Sequence, residues 1–215
     1  MTYEEQNRFF AQAYRTGTDS WTNIPFARRA AELAERLPKG ALVLDLGSGR
    51  GALLFEYAHI GLRAIGLENN PDLVKRGNNE VLAKGLEKNI RFMDGSALDI
   101  PLADTSFDAV SDIGLMQHIR PEDYAQYVSE IARVLKPGGL AFLAVLSKDT
   151  PKYFAWHPRK DELSDYIKEG VHYHFFSDEE IKSLFGTAFD IQEIDHDKPH
   201  GPKGTVYAIA LLKKK

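Results

Sequence analysis

Residues 43–56 read VLDLGSGRGALLFE: an apolar run, then Gly47, Gly49 and Gly51, then an amphipathic run. This order constrains the fold more than any other feature of the chain. A short apolar run of this kind is a buried strand, and the segment after it is helical. Glycines between the two let the backbone turn sharply through positive φ and let a ligand approach the main chain. The segment from Gly47 to Ala52 also satisfies the dinucleotide pattern G-x-G-x-x-G/A. The loop alone therefore leaves the cofactor open. A tight strand-to-helix turn without a ligand is the plainer reading, and three glycines in five residues directly after a buried strand weigh against it.

The alternation continues along the chain. GALLFEYAHI reads as a helix closed by Gly61, LRAIGLE as a strand, and NPDLVKRGNNEVLAKG as a helix capped by Asn70 with Pro71 at its first position. NIRFM and FDAVSDI are strands. RPEDYAQYVSEIARVLKPGG is a helix ending in a Lys136-Pro137-Gly138-Gly139 turn, and LAFLAVL is a fifth strand. Strands alternating with helices imply a parallel sheet with right-handed crossovers and helices on both faces. Two helices precede this core: residues 2–15, and a second running from Pro25 to Leu37. The ending differs. SDEEIKSLFG carries a capping box, Ser177 with Glu180. FDIQEI and TVYAIALL follow with no helix between them, so they form an antiparallel hairpin at the sheet edge.

Bulk properties exclude several function classes. The chain has 215 residues, 43% hydrophobic and 27% charged, with a formal charge of −4. That is an ordinary globular mixture with no global attraction to nucleic acid or anionic membranes. There are no cysteines, which excludes disulfides, cysteine nucleophiles and thiolate metal sites and fits a reducing compartment. MTYEEQNRFFAQAYR carries charges inside any apolar core, so it is not read as a signal peptide. No run approaches the ~18 apolar residues of a membrane helix. The expectation is a cytoplasmic protein, monomer or homodimer, acting on a small molecule, with no nucleic-acid or membrane partner.

Asp45 stands two residues before Gly47, where a dinucleotide fold keeps an apolar residue. A carboxylate there repels a pyrophosphate and suits a cationic ligand. Glu68, at the end of the second strand, can accept hydrogen bonds from ribose hydroxyls, as in NAD sites; it is compatible with any adenosine-containing cofactor and does not choose among them.

VLDLGSGRG, AIGLE, IRFMDGSALDIPLADTSFDAV and EIARVLKPGGLAFLAVL, in this order, resemble the class I S-adenosylmethionine-dependent methyltransferases, in particular the small-molecule branch that includes ubiquinone-biosynthesis-type methylases. The resemblance covers about residues 40–146. It implies a Rossmann-like, doubly wound seven-stranded α/β sheet, order 3-2-1-4-5-7-6, with strand 7 antiparallel. The whole chain is then one domain: an N-terminal helical cap (1–39), a cofactor-binding core (40–146), and a substrate-side lid with the antiparallel hairpin (147–215). It further implies S-adenosyl-L-methionine as cofactor. Asp45 with Gly47, Ser48 and Gly49 would face its methionine part, Glu68 its ribose, and Asn69, Asp94, Gly95 and Ser96 its adenine. Asp112 would lie near the sulfonium. Asp94 also reads as a turn cap and Asp112 as a strand-end device, while Asp108 reads as a strand-start device.

Methyl transfer from a sulfonium needs an aligned nucleophile more than an acid–base pair. The catalytic candidates are accordingly few: His118, His174 and Tyr14, with Tyr14 placed to close on the cofactor. His172 and His174 share a side of an extended segment but have no third partner at metal-ligand spacing, so no metal is expected. An aromatic lid is expected from Phe9, Phe10, Tyr14 and Trp21 and from Tyr153, Phe154, Trp156, Tyr166 and Tyr173; Phe175 and Phe176 are assigned to the core. Arg159 and Lys160 read as an exposed helix start. Three alternatives stay open: a non-catalytic S-adenosylmethionine-binding module, an NAD-dependent oxidoreductase with an all-parallel sheet, and a nucleic-acid or protein methylase. Against the last stand the acidic balance and the strand end SDIG in place of an Asn-Pro-Pro-Tyr-type signature.

Overall fold

The computed structural model describes residues 2–19, 21, 26–150, 165–168, 171–197 and 204–215. Helix α1 (Tyr3–Thr16) opens with a capping box in which Thr2 and Glu5 satisfy each other's backbone N–H groups, and stops at Gly17 in the left-handed region. Helix α2 (Phe26–Ala34) ends three residues before the Leu37 expected from the sequence. The alternating core follows: β1 (Leu42–Leu46), α3 (Ala52–His59), β2 (Arg63–Glu68), α4 (Pro71–Ala83), β3 (Ile90–Asp94), β4 (Phe107–Ile113), α5 (Tyr124–Val134) and β5 (Leu135–Leu146). A short pair, β6 (Asp165–Lys168) and β7 (Val171–His174), precedes α6 (Asp178–Phe185) and the strands β8 (Phe189–His196) and β9 (Tyr207–Lys214).

Seven strands form one sheet in the order β3-β2-β1-β4-β5-β9-β8, and β6-β7 form a separate antiparallel pair. Strands β1 to β5 pair in parallel, while β9 runs antiparallel to both β5 and β8. This is the doubly wound order expected from the sequence. It departs from the all-parallel sheet that the oxidoreductase alternative requires. The β6-β7 pair was not expected. Its strands are four residues each, too short to carry a readable alternation.

Side-chain alternation sorts the sheet into two cores. Leu44, Leu46, Ile65, Leu67 and Val110 face one layer, with Tyr127 and Ile131 of α5 and Ile181 and Phe185 of α6. Val43, Ala64, Phe92 and Ala109 face the other, with Leu33 of α2, Leu53, Leu54 and Tyr57 of α3, and Val81 of α4. Phe92 shows how tightly this second layer closes. A Cβ on Gly51 would come within 2.1 Å of its ring, and one on Gly77 within 2.6 Å. Phe175 and Phe176 are core, at 1% and 0% exposure.

Two local expectations need correction. Lys136-Pro137-Gly138-Gly139 does not end a helix. Helix α5 stops at Val134, and the four residues bulge out within β5: Phe107 pairs with Leu135, and Ala109 already with Leu140. Asp108 explains why. Its carboxylate accepts from Leu42 N at 2.9 Å and from Lys136 Nζ at 2.6 Å, pinning the bulge to the start of β1. The second correction is the box at Ser177. Its hydroxyl accepts from Glu180 N, but the Glu180 carboxylate turns to His174 Nε2 at 2.6 Å. The buried His174 imidazole takes the carboxylate that the box would need.

Candidate active site

The same alternation places the site. Asp45 has the parity of Val43, Glu68 that of Ala64, and Asp94 that of Phe92. Three acids therefore end three adjacent strands on the α3–α4 face of the sheet, at the carboxyl edge where open α/β sheets bind ligands. The glycine loop crosses that edge. Gly47 and Ser48 N–H groups both bond to Leu67 O, and Gly47, Gly49 and Gly51 have φ of 65°, 54° and 78°. Only glycine adopts this succession without strain.

Asp45 is 4% exposed, and its Oδ1 accepts from Ser111 Oγ at 2.7 Å. Burial pushes its carboxyl up to about 7, and the nearby charges of Asp112 and Glu68 add to the effect. Glu68, also buried, accepts from Gly49 N at 2.8 Å and Asn70 N at 3.0 Å. Burial raises its carboxyl as well, against the lowering effect of those backbone donors. Among the described residues, no arginine or lysine is paired with either acid. Two buried carboxyl groups held by neutral donors are costly to ionise, and a bound cation beside them would favour the charged form. The donor set thus fits an ammonium-bearing ligand and repels a diphosphate.

Other expected residues divide by geometry. Asp94 is exposed at the end of β3, beside Gly95 and Ser96; Ser96 Oγ accepts from Leu98 N at 3.1 Å. Asn69 Nδ2 donates to Asn7 Oδ1 at 3.1 Å, tying β2 to α1. The Ser48 hydroxyl packs down onto Gly66 and has no hydrogen-bond partner, while its N–H and carbonyl are taken by Leu67 O and Gly51 N. Asp112 has the opposite parity to Asp45 and faces α5. Its oxygens accept from Leu115 N at 2.7 Å, Met116 N at 2.9 Å and the Tyr127 hydroxyl. Burial pushes it up to about 6 against these bonds. With both oxygens engaged and no exposed surface, Asp112 shapes the turn over Met116–His118.

The N-terminal cap covers the loop. Tyr14 Oη lies 2.7 Å from where a Gly49 Cβ would sit and accepts from Trp21 Nε1 at 2.9 Å. Burial first, and Glu68 and Asp19 after it, push the Tyr14 phenol up to about 12. Arg50, inside the glycine motif, clamps this cap: it donates to Asp19 at 2.7 and 2.8 Å and to Tyr14 O at 2.9 Å. The rings of Tyr14, Trp21, Phe10, His118 and Tyr173 continue edge to face, with centroids 4.8–5.6 Å apart. They form an aromatic wall running from the glycine loop to β7. Tyr153, Phe154, Trp156, Arg159 and Lys160 lie outside the described residues.

Reading the sequence missed Ser111, Arg50 and Gln6. Ser111 was legible in principle, since parity and register place it beside Asp45. The partners of Arg50 and Gln6 lie on distant segments and leave no local pattern.

Residues 43–139 match a family model described as a methyltransferase domain. The chain is 34% identical over 118 residues to demethylmenaquinone methyltransferase of Thermus thermophilus, covering 54% of this chain and 52% of that protein. It is 35% identical over 138 residues to ubiquinone biosynthesis O-methyltransferase of Xanthomonas axonopodis, covering 64% and 56%. The chain thus spans about half the length of the curated relatives it matches. Among solved structures, the Burkholderia thailandensis 1,6-didemethyltoxoflavin-N1-methyltransferase, with bound 1,6-didemethyltoxoflavin and S-adenosylhomocysteine, superposes with a TM-score of 0.81 at 23% identity, over 99% of this chain and 88% of that one. The strand order and the acid-flanked glycine loop agree with that match: residues 43–139 are similar to a methyltransferase domain and lie in a doubly wound sheet shared with solved methyltransferases.

Proposed function

We propose that this protein transfers a methyl group from S-adenosylmethionine to a small-molecule acceptor by in-line displacement. The observation that carries this reading is the pair of buried, cation-free carboxylates, Asp45 and Glu68, on either side of a positive-φ glycine loop. Asp45, with the carbonyl oxygens of Gly47 and Gly49 on either side of Ser48, holds the amino-acid end of the cofactor. Glu68 keeps lone pairs for the ribose hydroxyls after its two backbone bonds. Asn69, Asp94, Gly95 and Ser96 border the adenine. Asp112 acts one step removed, by fixing the turn that carries His118.

When bound, the cofactor supplies an activated methyl group on a positive sulfur. The chain's own work is to align the acceptor, exclude water and hold the site rigid. Tyr14 closes on the loop; its phenol stays protonated near neutrality and is not a base. His174 is committed to Glu180. The aromatic wall suits a flat or apolar acceptor, a reading supported by relatives whose names refer to quinones. We place the protein in the cytoplasm, as a monomer or homodimer formed by one methyltransferase domain. No described helix is long and apolar enough to cross a membrane.

Calorimetry with S-adenosylmethionine, S-adenosylhomocysteine and NAD tests the cofactor half. Binding of the first two and not the third is expected; NAD binding alone sinks the proposal. A methyl-transfer screen over small-molecule pools then tests the acceptor half.

A further inference from the structure

We propose that Ser111 and Tyr57 are positioning residues for the cofactor site: Ser111 occupies Oδ1 of Asp45 and leaves Oδ2 for the ligand's ammonium, and Tyr57 backs Ser111 with a second donor when Asp45 carries its charge. The inference rests on the methyl-transfer reading and deepens it. Asp45 lies in a row of side chains that crosses the sheet. Its register partners are Gly66 on β2 and Ser111 on β4, and Phe92 and Phe142 pair with these two on their outer sides. Both rings are buried and close the ends of the row. Gly66 has no side chain, so Ser111 is the cross-strand neighbour able to bond to the carboxyl group. Its hydroxyl donates to Asp45 Oδ1 at 2.7 Å, and the residue has no exposed surface. Asp45 Oδ2 bonds to no described residue and is not sealed from solvent, so it is the oxygen a ligand can reach.

Tyr57 reaches this row from α3, and it too has no exposed surface. Its hydroxyl has no hydrogen-bond partner within bonding geometry among the described residues, and the polar groups that act on it are Asp45 and Ser111. A buried donor left unpaired is costly. Ser111 donates once and keeps two lone pairs, so it can accept from Tyr57 while it donates to Asp45. Such a chain of hydroxyls polarises along its length and is strongest where it ends on a charge. The other ionisable groups that face Asp45, Asp112 from β4 and Glu68 from β2, oppose its charge, as burial does. Ser111 is the group that favours the carboxylate.

On binding, the ligand's ammonium meets Oδ2, the Asp45 proton passes to water, and Oδ1 keeps the Ser111 bond throughout. The Tyr57 hydroxyl turns onto Ser111, so a donor that is unpaired in the free protein is satisfied in the complex. Without Ser111 the carboxyl group keeps its proton to higher pH, and neither of its oxygens is reserved for the ligand.

Calorimetry of the full chain with S-adenosylhomocysteine, from about pH 6 to about pH 8.5, tests this. Ser111→Ala should bind about tenfold more weakly near pH 6, and the loss should narrow to about twofold near pH 8.5, because the missing bond acts on the charging of Asp45. A loss equal at every pH, or no loss, overturns the role of Ser111. Ser111→Thr restores the hydroxyl and should recover most of the affinity. In an Asp45→Asn background, Ser111→Ala should change affinity by less than about twofold; a full loss there overturns the proposal. Tyr57→Phe should bind about two- to fivefold more weakly near pH 6 with the same narrowing. Its Tm without ligand should not fall, since the hydroxyl it removes has no partner there. A lower Tm with unchanged affinity overturns the role of Tyr57. Should Ser111→Thr fail to fold, its extra methyl having no room in the closed row, the alanine variant still decides. Failure of S-adenosylhomocysteine to bind the parent would instead strike the methyl-transfer reading. Thermal unfolding of the free protein then decides for Ser111: the alanine variant should show a Tm deficit that widens from about pH 5 to about pH 8, and a constant deficit overturns the proposal.

Discussion

Replacing Asp45 with Asn should make the protein more stable and worse at binding its cofactor, and the two effects share one cause. The Asp45 carboxyl lies buried beside Glu68 and Asp112, with the Tyr57 phenol packed on the same side, and ionising it there is costly. Its value moves from the ordinary 3.8 to about 7. At ~1.36 kcal/mol per pH unit that is a ceiling of about 4 kcal/mol of lost stability. The sign follows from proton counting. Between about pH 4 and pH 7 the folded state binds the extra proton, so its stability falls as pH rises and levels off above about 7. Asp45→Asn keeps the acceptor for Ser111 Oγ and removes the charge. Its advantage should be absent near pH 4, grow through neutrality and reach a plateau near pH 8. Half the ceiling, ~2 kcal/mol, raises Tm by roughly 4–8 °C in a chain of this size. Thermal unfolding of both proteins across pH reads this directly. Comparing the two at each pH cancels the titration of Asp112 and Glu68 to first order. Calorimetry reads the other half: parent affinity for S-adenosylhomocysteine should rise as pH rises toward 7, up to about tenfold per pH unit, and the variant should bind weakly with little pH dependence. Equal stability of the two proteins at pH 8, or undiminished affinity in the variant, would refute the reasoning.

Three further outcomes are expected. Gly51→Ala drives a Cβ into the Phe92 ring at a backbone φ of 78°; left-handed strain and overpacking together should cost roughly 2–5 kcal/mol by chemical denaturation. Asp94→Ala removes an exposed side chain, so stability should change by less than about 0.5 kcal/mol, while affinity for S-adenosylhomocysteine should fall; equal affinity removes Asp94 from the adenine site. Arg50→Ala releases Asp19 and Tyr14 O; hydrogen exchange in residues 14–19 should quicken and cofactor affinity should drop several-fold, whereas unchanged exchange would deny the clamp.

The sheet and its ligand-facing edge were legible along the chain. Apolar runs alternating with amphipathic ones, the closely spaced glycines, and two terminal strands with no helix between them leave few topologies open, because parallel strands need crossovers and hairpins do not. Asp45 and Glu68 were legible for the same local reason: each ends a buried strand where a carboxylate is expensive. Which side chains meet was set by packing across the fold. Asp45 and Asp112 look alike in sequence, yet one residue of register puts them on opposite faces of the sheet, one beside Ser111 and the other under Tyr127. His118 and His174 look alike too, until β7 brings a backbone carbonyl to one and α6 brings a carboxylate to the other. Gln6 reaches residues 112 and 166 positions away. Period and turn chemistry are local and written along the chain, whereas partners such as these are chosen by packing between distant segments.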